Sequence, residues 1–64
     1  MKKITEHTYG NHVYMKLMIE VNGKPETHAI DVYWGKNGEE TYKTSADGDS
    51  FRRDEIIKAF NALY

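Results

Sequence analysis

The chain has 64 residues, no cysteine, 39% hydrophobic and 30% charged residues, so it is too apolar to be disordered and holds no disulfide framework. Its net charge is −1, from nine basic and ten acidic residues, so it lacks the basic excess of a dedicated non-specific DNA binder. No apolar segment follows Met1 as in a secretory signal, and no stretch is long enough to span a bilayer. We therefore expect a cytoplasmic, single-domain protein over residues 1–64, from a complete small open reading frame.

Residues 3–9 are rich in β-branched side chains and predict an edge strand. Gly10-Asn11 would close this strand into a hairpin with the next one, pairing Ile4 with Leu17. From residue 12 to 21, apolar side chains then recur at every second position, which predicts a half-buried strand. The apolar positions are Val13, Met15, Leu17, Ile19 and Val21.

A further strand is predicted over residues 27–34, with Ile30, Val32 and Trp34 on one face. The intervening Asn22-Gly23 pair favours a type I′ turn. A two-residue loop would pair Val21 with Lys24, and a four-residue loop would pair it with Glu26. Either register places the two apolar faces on the same side of the sheet.

The last strand is predicted over residues 40–45. A three-residue loop with a left-handed Gly38 would keep Tyr42 on the core face, whereas a two-residue turn would send Tyr42 outward. We prefer the first loop because the second points Lys43 into the core.

A helix is predicted over residues 51–63, with Ser50 as its N-cap and Lys58 placed to pair with Asp54. Phe51 either covers the core from the first turn or lies in the loop. The apolar stripe comprises Ile56, Ile57, Phe60, Leu63 and Tyr64. The predicted fold is α+β: an antiparallel three- to four-stranded β-meander packed on one face by a single C-terminal helix.

Three candidate chemistries are weak. Counting from Asp47, an EF-hand loop would need glutamate at its twelfth position, where Lys58 stands, so a turn and helix cap are favoured. His7 and His12 fall on the outer sheet face and His28 on the opposite one, which disfavours a shared metal. No sequence context supports a hydrolytic nucleophile. We expect no enzyme activity, no cofactor and no metal.

The outer sheet face, which the helix is not expected to cover, collects aromatic and basic side chains. A protein partner would use the tyrosines as anchors, a nucleic acid would stack on the rings, and a merely solvated face would also tolerate them. The predicted partner-binding residues are Tyr9, His12, Tyr14, Lys16, Tyr33 and Lys43, beside His7 and Met18.

Three segments within residues 13–63 carry a family resemblance: Val13-Tyr14, Trp34-Gly35-Lys36-Asn37-Gly38 and Ile56-Ile57-Lys58-Ala59-Phe60. On these segments the chain resembles a WGR domain, a nucleic-acid-binding and regulatory module. The resemblance implies binding roles for Trp34 and Lys36, although Lys36 stands where the family has arginine and the usual following Gly-Gln is absent.

The leading functional hypothesis is a small non-enzymatic binding or regulatory protein that occludes a surface on a macromolecular partner. Small cysteine-free chains with an aromatic sheet face are common among phage and mobile-element inhibitors of host machinery, which is an analogy. The alternatives are a nucleic-acid-binding module using the same face and a structural homo-oligomer, such as a homodimer, joined by an edge strand or by that face.

Overall fold

The computed structural model describes all 64 residues. Its elements are the strands β1 (Lys2–Tyr9), β2 (His12–Val21), β3 (Lys24–Trp34) and β4 (Glu40–Thr44), followed by the helix α1 (Ser50–Leu63). The strands form one open antiparallel sheet in the order β1-β2-β3-β4, and α1 packs on one face of it. The predicted α+β meander with one C-terminal helix is confirmed, and its edge strand is present.

The β2–β3 hairpin uses the two-residue loop. Val21 lies opposite Lys24, and Asn22 and Gly23 both have positive φ, at 53° and 77°. Two successive positive φ values define a type I′ turn, whose twist matches that of the flanking strands. This register pairs Val13 with Val32, so the apolar faces of the two strands coincide as predicted.

The β3–β4 loop contains the predicted left-handed glycine. Gly35 N–H donates to the Glu39 carbonyl at 2.8 Å, and Gly38, with φ 82°, donates to the Gly35 carbonyl at 3.0 Å. The resulting bulge places Tyr42 opposite Val32, on the side of the sheet that the helix covers.

The predicted Ile4–Leu17 pair in the β1–β2 hairpin is wrong. Lys3 lies opposite Leu17, and the register shifts between Lys3 and Thr5, which leaves Ile4 without a partner in the ladder. Helix α1 lies mainly over β2 and β3, so the inner side of β1 offers Ile4 little apolar surface to contact. An unpaired extra residue therefore costs little hydrophobic burial at this edge.

The helix begins one residue earlier than predicted, and its N-cap is Asp49 rather than Ser50. Asp49 has extended backbone angles (φ −126°, ψ 97°), and its carboxylate accepts the Arg52 backbone N–H at 3.1 Å. A cap must lie outside the helix with its side chain turned back over the first turn, and Ser50 is already helical.

The inner face of α1 departs from the predicted stripe in several ways. Ala59 is buried with Ile56 and Phe60, whereas Ile57 and Leu63 are half-buried. Tyr64 is 58% exposed, although its ring stacks on Phe60 at a centroid distance of 5.1 Å.

Two predicted contacts of α1 are wrong. Phe51 is helical and 59% exposed, so it neither covers the core nor lies in the loop. Lys58 pairs with Glu55, three residues before it, at 3.2 Å rather than with Asp54, four residues before it. Residues at both spacings lie on the same side of a helix as Lys58, so either acid is within reach.

The core is one apolar layer between α1 and the inner face of the sheet. Half-buried Trp34 and Tyr42 pack at its margin, and no polar side chain is fully buried. Removing this apolar surface from water is the main driving force for folding. The buried residues are Val13, Met15, Leu17, Ile19, Val21, Ile30, Val32, Ile56, Ala59 and Phe60.

Candidate functional site

The outer sheet face is the side of the sheet opposite α1, and all six predicted partner-binding residues lie on it. Residues opposite each other in antiparallel strands share a face. One cross-strand row joins Tyr9, His12 and Tyr33, the next joins His7, Tyr14, Asp31 and Lys43, and a third holds Lys16. The alternation of each strand, together with the two loop registers, therefore assembles this group.

Four of these rings form a continuous stack, which we name the aromatic ladder: His7, Tyr9, His12 and Tyr33. Centroid distances are 6.2 Å between His7 and Tyr9 and 5.7 Å between Tyr9 and His12. His12 and Tyr33 are closest, at 4.2 Å with an interplanar angle of 2°. The ladder thus links β1, β2 and β3 at the end of the sheet that carries the Gly10-Asn11 turn.

Asp31 fixes the centre of the aromatic ladder. The His12 Nε2 atom lies 2.7 Å from Asp31 Oδ1, and because an ionised carboxylate only accepts, His12 donates this hydrogen bond. Sequence reasoning placed Asp31 on the outward side of its strand but gave it no role. Its position in the sequence could have indicated the contact. Tyr33 lies opposite His12, so Asp31, two residues before Tyr33, is the diagonal neighbour of His12 on the same face.

The orientation of the rings determines what they offer to a partner. Parallel rings 4.2 Å apart must face each other, so His12 and Tyr33 have one face each occupied by the other ring. Tyr9 and Tyr33 nevertheless stay exposed, at 59% and 39%. Rings that partly cover one another suit close packing against a protein better than the stacking of nucleobases.

Lys16 and Lys43 lie beside the aromatic ladder, on β2 and β4. Both side chains are exposed, and neither takes part in an ion pair. Tyr14 lies between the ladder and Lys16 and is half-buried among its neighbours. The structure thus places the tyrosines predicted as anchors and these two predicted partner-binding lysines on the same face.

A polar network on the inner side of the sheet was missed in the sequence. Arg52 binds Glu26 through two parallel hydrogen bonds of 2.8 Å and donates to Asp49 Oδ2 at 2.9 Å. These bonds hold the first turn of α1 against β3. The Val21–Lys24 register puts Glu26 and His28 on the inner face. Polar residues on that face require hydrogen-bond partners, and this requirement is the sequence signal for the network.

His28 extends this network to the β4–α1 loop. Its Nε2 atom lies 2.9 Å from Glu26 Oε1, and its Nδ1 atom lies 2.8 Å from Ser45 Oγ. Serine, histidine and carboxylate in this order have the connectivity of a hydrolytic triad. However, Glu26 is already bound by Arg52, so its charge serves an ion pair that joins helix and sheet.

The backbone N–H groups of Ser45 and Ala46 already donate hydrogen bonds within the chain. Ser45 N–H donates to the Ala29 carbonyl at 3.0 Å, and Ala46 N–H donates to Thr44 Oγ1 at 3.1 Å. Acyl transfer needs free N–H donors aimed at a developing oxyanion, and these amides do not provide them. The arrangement therefore acts as a structural clamp between β3, the loop and α1.

Hydrogen bonds lower the pKa of the carboxylates in this region. Those from Arg52, and then from His28, bring the pKa of Glu26 from its ordinary 4.5 to about 2. The pKa of Asp49 is lowered chiefly by the Arg52 backbone N–H, and that of Asp47 by the Thr44 hydroxyl. The loop thus forms the predicted turn and helix cap, although the cap is Asp49 rather than Ser50.

The structure contains no group of three or more histidine and acidic residues placed to hold a metal ion. Helix α1 is neither long nor apolar enough to cross a membrane.

No protein-family model, curated protein or solved structure matches the chain. The resemblance to WGR domains rests on the three sequence segments alone. In the structure Trp34 is half-buried against the core, with its ring 6.0 Å from that of Tyr64, whereas Lys36 is exposed in the β3–β4 loop. Trp34 therefore has a packing role that accounts for its position.

Proposed function

We propose that this chain is a non-enzymatic binding protein that docks a protein partner on its outer sheet face. The observation that carries the proposal is the aromatic ladder, in which four rings are held against one another on a face that no element of the chain covers. Tyrosine is enriched among the residues that supply most of the binding energy in protein interfaces.

The rigidity of the aromatic ladder supports this proposal. Ordering a side chain on binding costs conformational entropy, and a side chain already held in place avoids part of that cost. Tyr33 is fixed by the coplanar His12 ring, which Asp31 fixes in turn. Tyr9 and Tyr33 thus present exposed aromatic side chains at positions set by the sheet.

The mode of action we propose is occlusion, in which the chain covers a surface that its partner needs for another interaction. A flat sheet face is suited to covering a surface, and the committed hydrogen bonds around Ser45 support a role without catalysis. By analogy with inhibitors of host machinery from phages and mobile elements, we propose a regulatory role for this chain.

Binding of a nucleic acid is the second candidate, and the unpaired Lys16 and Lys43 favour it. Lysine amines beside aromatic rings are typical of surfaces that bind single strands. The mutual stacking of His12 and Tyr33 weighs against this candidate, because bases need free ring faces.

The test is affinity capture from a lysate of the source cell with immobilised wild type, Tyr33→Ala and Phe51→Ala. We expect Tyr33→Ala to lose at least one protein that the wild type retains, because the substitution removes an anchor. Phe51→Ala is the matched control, since Phe51 is an exposed aromatic residue away from the outer face, and it should retain that protein. In either variant the free energy of unfolding, followed by thermal unfolding, should change by about 1 kcal/mol at most.

Several outcomes would contradict the proposal. Equal capture by wild type and Tyr33→Ala would remove the outer face as the docking surface, and a large loss of stability with no change in capture would make Tyr33 structural. Loss of capture after nuclease treatment would favour the nucleic-acid module. A dimer in light scattering that Tyr33→Ala dissociates would favour the homo-oligomer.

A further inference from the structure

We infer that the partner surface seated on the outer sheet face is an acidic protein surface, with carboxylates placed beside a pocket for the tyrosines. This inference rests on the proposed function and specifies its partner. It is carried by the distribution of charge, which differs between the outer face and the rest of the chain.

Most acidic residues away from the outer face have a basic partner within the chain. Arg52 binds Glu26 and Asp49, Arg53 binds Asp47, Lys3 binds Glu6, and Lys58 binds Glu55. Those charges are largely satisfied, so they contribute little to the attraction of a partner.

The outer face carries unsatisfied positive charge instead. Lys2, Lys16 and Lys43 are all exposed there and make no ion pair. The acids on this face are Asp31, which His12 binds, and Glu20, which lies opposite Pro25 near the far end of β2. Three lysines and two acids give the outer face a net charge of +1. The whole chain has a net charge of −1, so the rest of the chain carries −2.

The position of the lysines relative to the aromatic ladder specifies where the carboxylates of the partner must lie. Lys43 is opposite Asp31, in the row that contains His7, and Lys16 is one row further on β2. Neighbouring strands are about 4.8 Å apart, so the backbones of these two residues, which lie two strands apart, are separated by roughly 10 Å across the sheet. An interface with buried aromatic anchors and a charged rim has this arrangement.

A lysine amine does not distinguish a carboxylate from a phosphate, so the rings make that distinction. Phosphates of a single strand arrive with bases that require free ring faces, and His12 and Tyr33 already use one face each on one another. Carboxylates on a protein impose no such requirement. The two charge sources are separated in the experiment by nuclease treatment.

The test compares Lys16→Glu/Lys43→Glu with the matched control Lys24→Glu/Lys58→Glu. The control lysines are also exposed, but Lys24 lies on the inner side opposite Val21, and Lys58 lies on α1 in a surface ion pair with Glu55. Each immobilised variant is loaded with nuclease-treated lysate of the source cell. The protein that Tyr33→Ala fails to retain is then eluted in a salt gradient and its isoelectric point is measured.

We expect that protein to be acidic and to bind Lys16→Glu/Lys43→Glu about tenfold more weakly than the wild type, with elution at lower salt. The control pair should elute with the wild type. Circular dichroism should show that both pairs remain folded, since all four lysines are exposed.

The outcomes separate this inference from the proposed function. If Tyr33→Ala loses the partner but Lys16→Glu/Lys43→Glu retains it at wild-type salt, or if the partner is basic, the inference is overturned and the docking face stands. If the control pair loses as much affinity as the test pair, binding depends on the net charge of the whole chain rather than on Lys16 and Lys43, and the inference is overturned. If wild type retains no protein that Tyr33→Ala releases, the proposed function itself falls.

Discussion

At the scale of single residues, carboxylates determine how the helix is attached to the sheet. Glu26 on β3 receives a bidentate pair of hydrogen bonds from Arg52, and Asp49 both caps the helix and binds the same guanidinium. Charge-assisted bidentate contacts are the strongest kind of side-chain hydrogen bond, and they fix geometry as well as energy. Arg52 thus joins the N-terminus of α1 to the middle of the chain.

Glu26→Gln should flatten the dependence of stability on acid pH. The pKa of Glu26 is about 2 in the folded chain against an ordinary 4.5, so its stabilising contribution is complete above pH 4.5. That contribution is lost as the pH falls from 4.5 towards 2, because the Glu26 carboxyl group is then protonated in the unfolded chain and must release its proton on folding. The wild type should therefore lose stability more steeply over this range than Glu26→Gln, in urea unfolding followed by circular dichroism.

Glu20→Gln is the matched control for the acid series. Glu20 is exposed on β2 and makes no ion pair, so its substitution should leave the wild-type profile in place. Parallel profiles for wild type and Glu26→Gln would refute the role of the Arg52 pair in stability.

Asp49→Ala should lower the unfolding temperature by about 5 °C, because the first turn of α1 loses the acceptor for the Arg52 backbone N–H. Ser50→Ala is the control and should have a much smaller effect, since Ser50 is inside the helix. A larger effect from Ser50→Ala in differential scanning calorimetry would restore the cap that the sequence predicted.

At the scale of elements, loop chemistry determines strand register. The Asn22-Gly23 turn and the Gly38 bulge were predictable because few residues adopt left-handed backbone angles without strain. The irregularity between Lys3 and Thr5 was not predictable from the same kind of evidence. It involves no glycine or turn motif, so no local pattern marks it.

Gly38→Ala should destabilise the chain by about 1 kcal/mol, since a Cβ atom at φ 82° is strained even though no neighbour obstructs it. Gly48→Ala is the control, because Gly48 also has open space around it but lacks a left-handed φ. It should be neutral or stabilising by at most about 1 kcal/mol. Equal losses in urea unfolding for the two variants would contradict the assignment of the bulge.

At the scale of the whole molecule, one helix covers one face of a four-stranded sheet and leaves the other face uncovered. Seven of the ten buried residues lie on the covered face and the other three on the helix, whereas the uncovered face holds the aromatic ladder. Since the core is on one side only, substitutions on the two faces should have separable effects on stability and on binding.

Phe60→Ala should cost about 3–5 kcal/mol, because Phe60 is almost completely buried at the centre of the helix face. A loss of that size is comparable to the whole stability of a small domain without disulfides or metals, so the variant should be largely unfolded at 25 °C. Phe51→Ala, the exposed counterpart on the same helix, should change stability by no more than about 0.5 kcal/mol. Cooperative unfolding of Phe60→Ala near the wild-type temperature would contradict this account of the core.

The sequence by itself determined the elements, the left-handed Gly38 of the β3–β4 loop and the division of residues between the two faces, whereas the structure decided that Val21 pairs with Lys24 rather than with Glu26. Period-two alternation and turn residues are local properties, and a register set by a turn carries that alternation across three strands. Tyr9, Tyr14 and Tyr33 were therefore assigned to one face before any contact between them was known.

Only the tertiary structure decided which side chains touch. The Asp31–His12 bond, the coplanar His12–Tyr33 stack and the clamp of Arg52 on Glu26 join residues far apart in the chain. Their formation depends on rotamers and on the placement of the helix over the sheet, which no local pattern specifies. The same placement left Ile4 and Phe51 exposed, where hydrophobicity alone had favoured contact with the core.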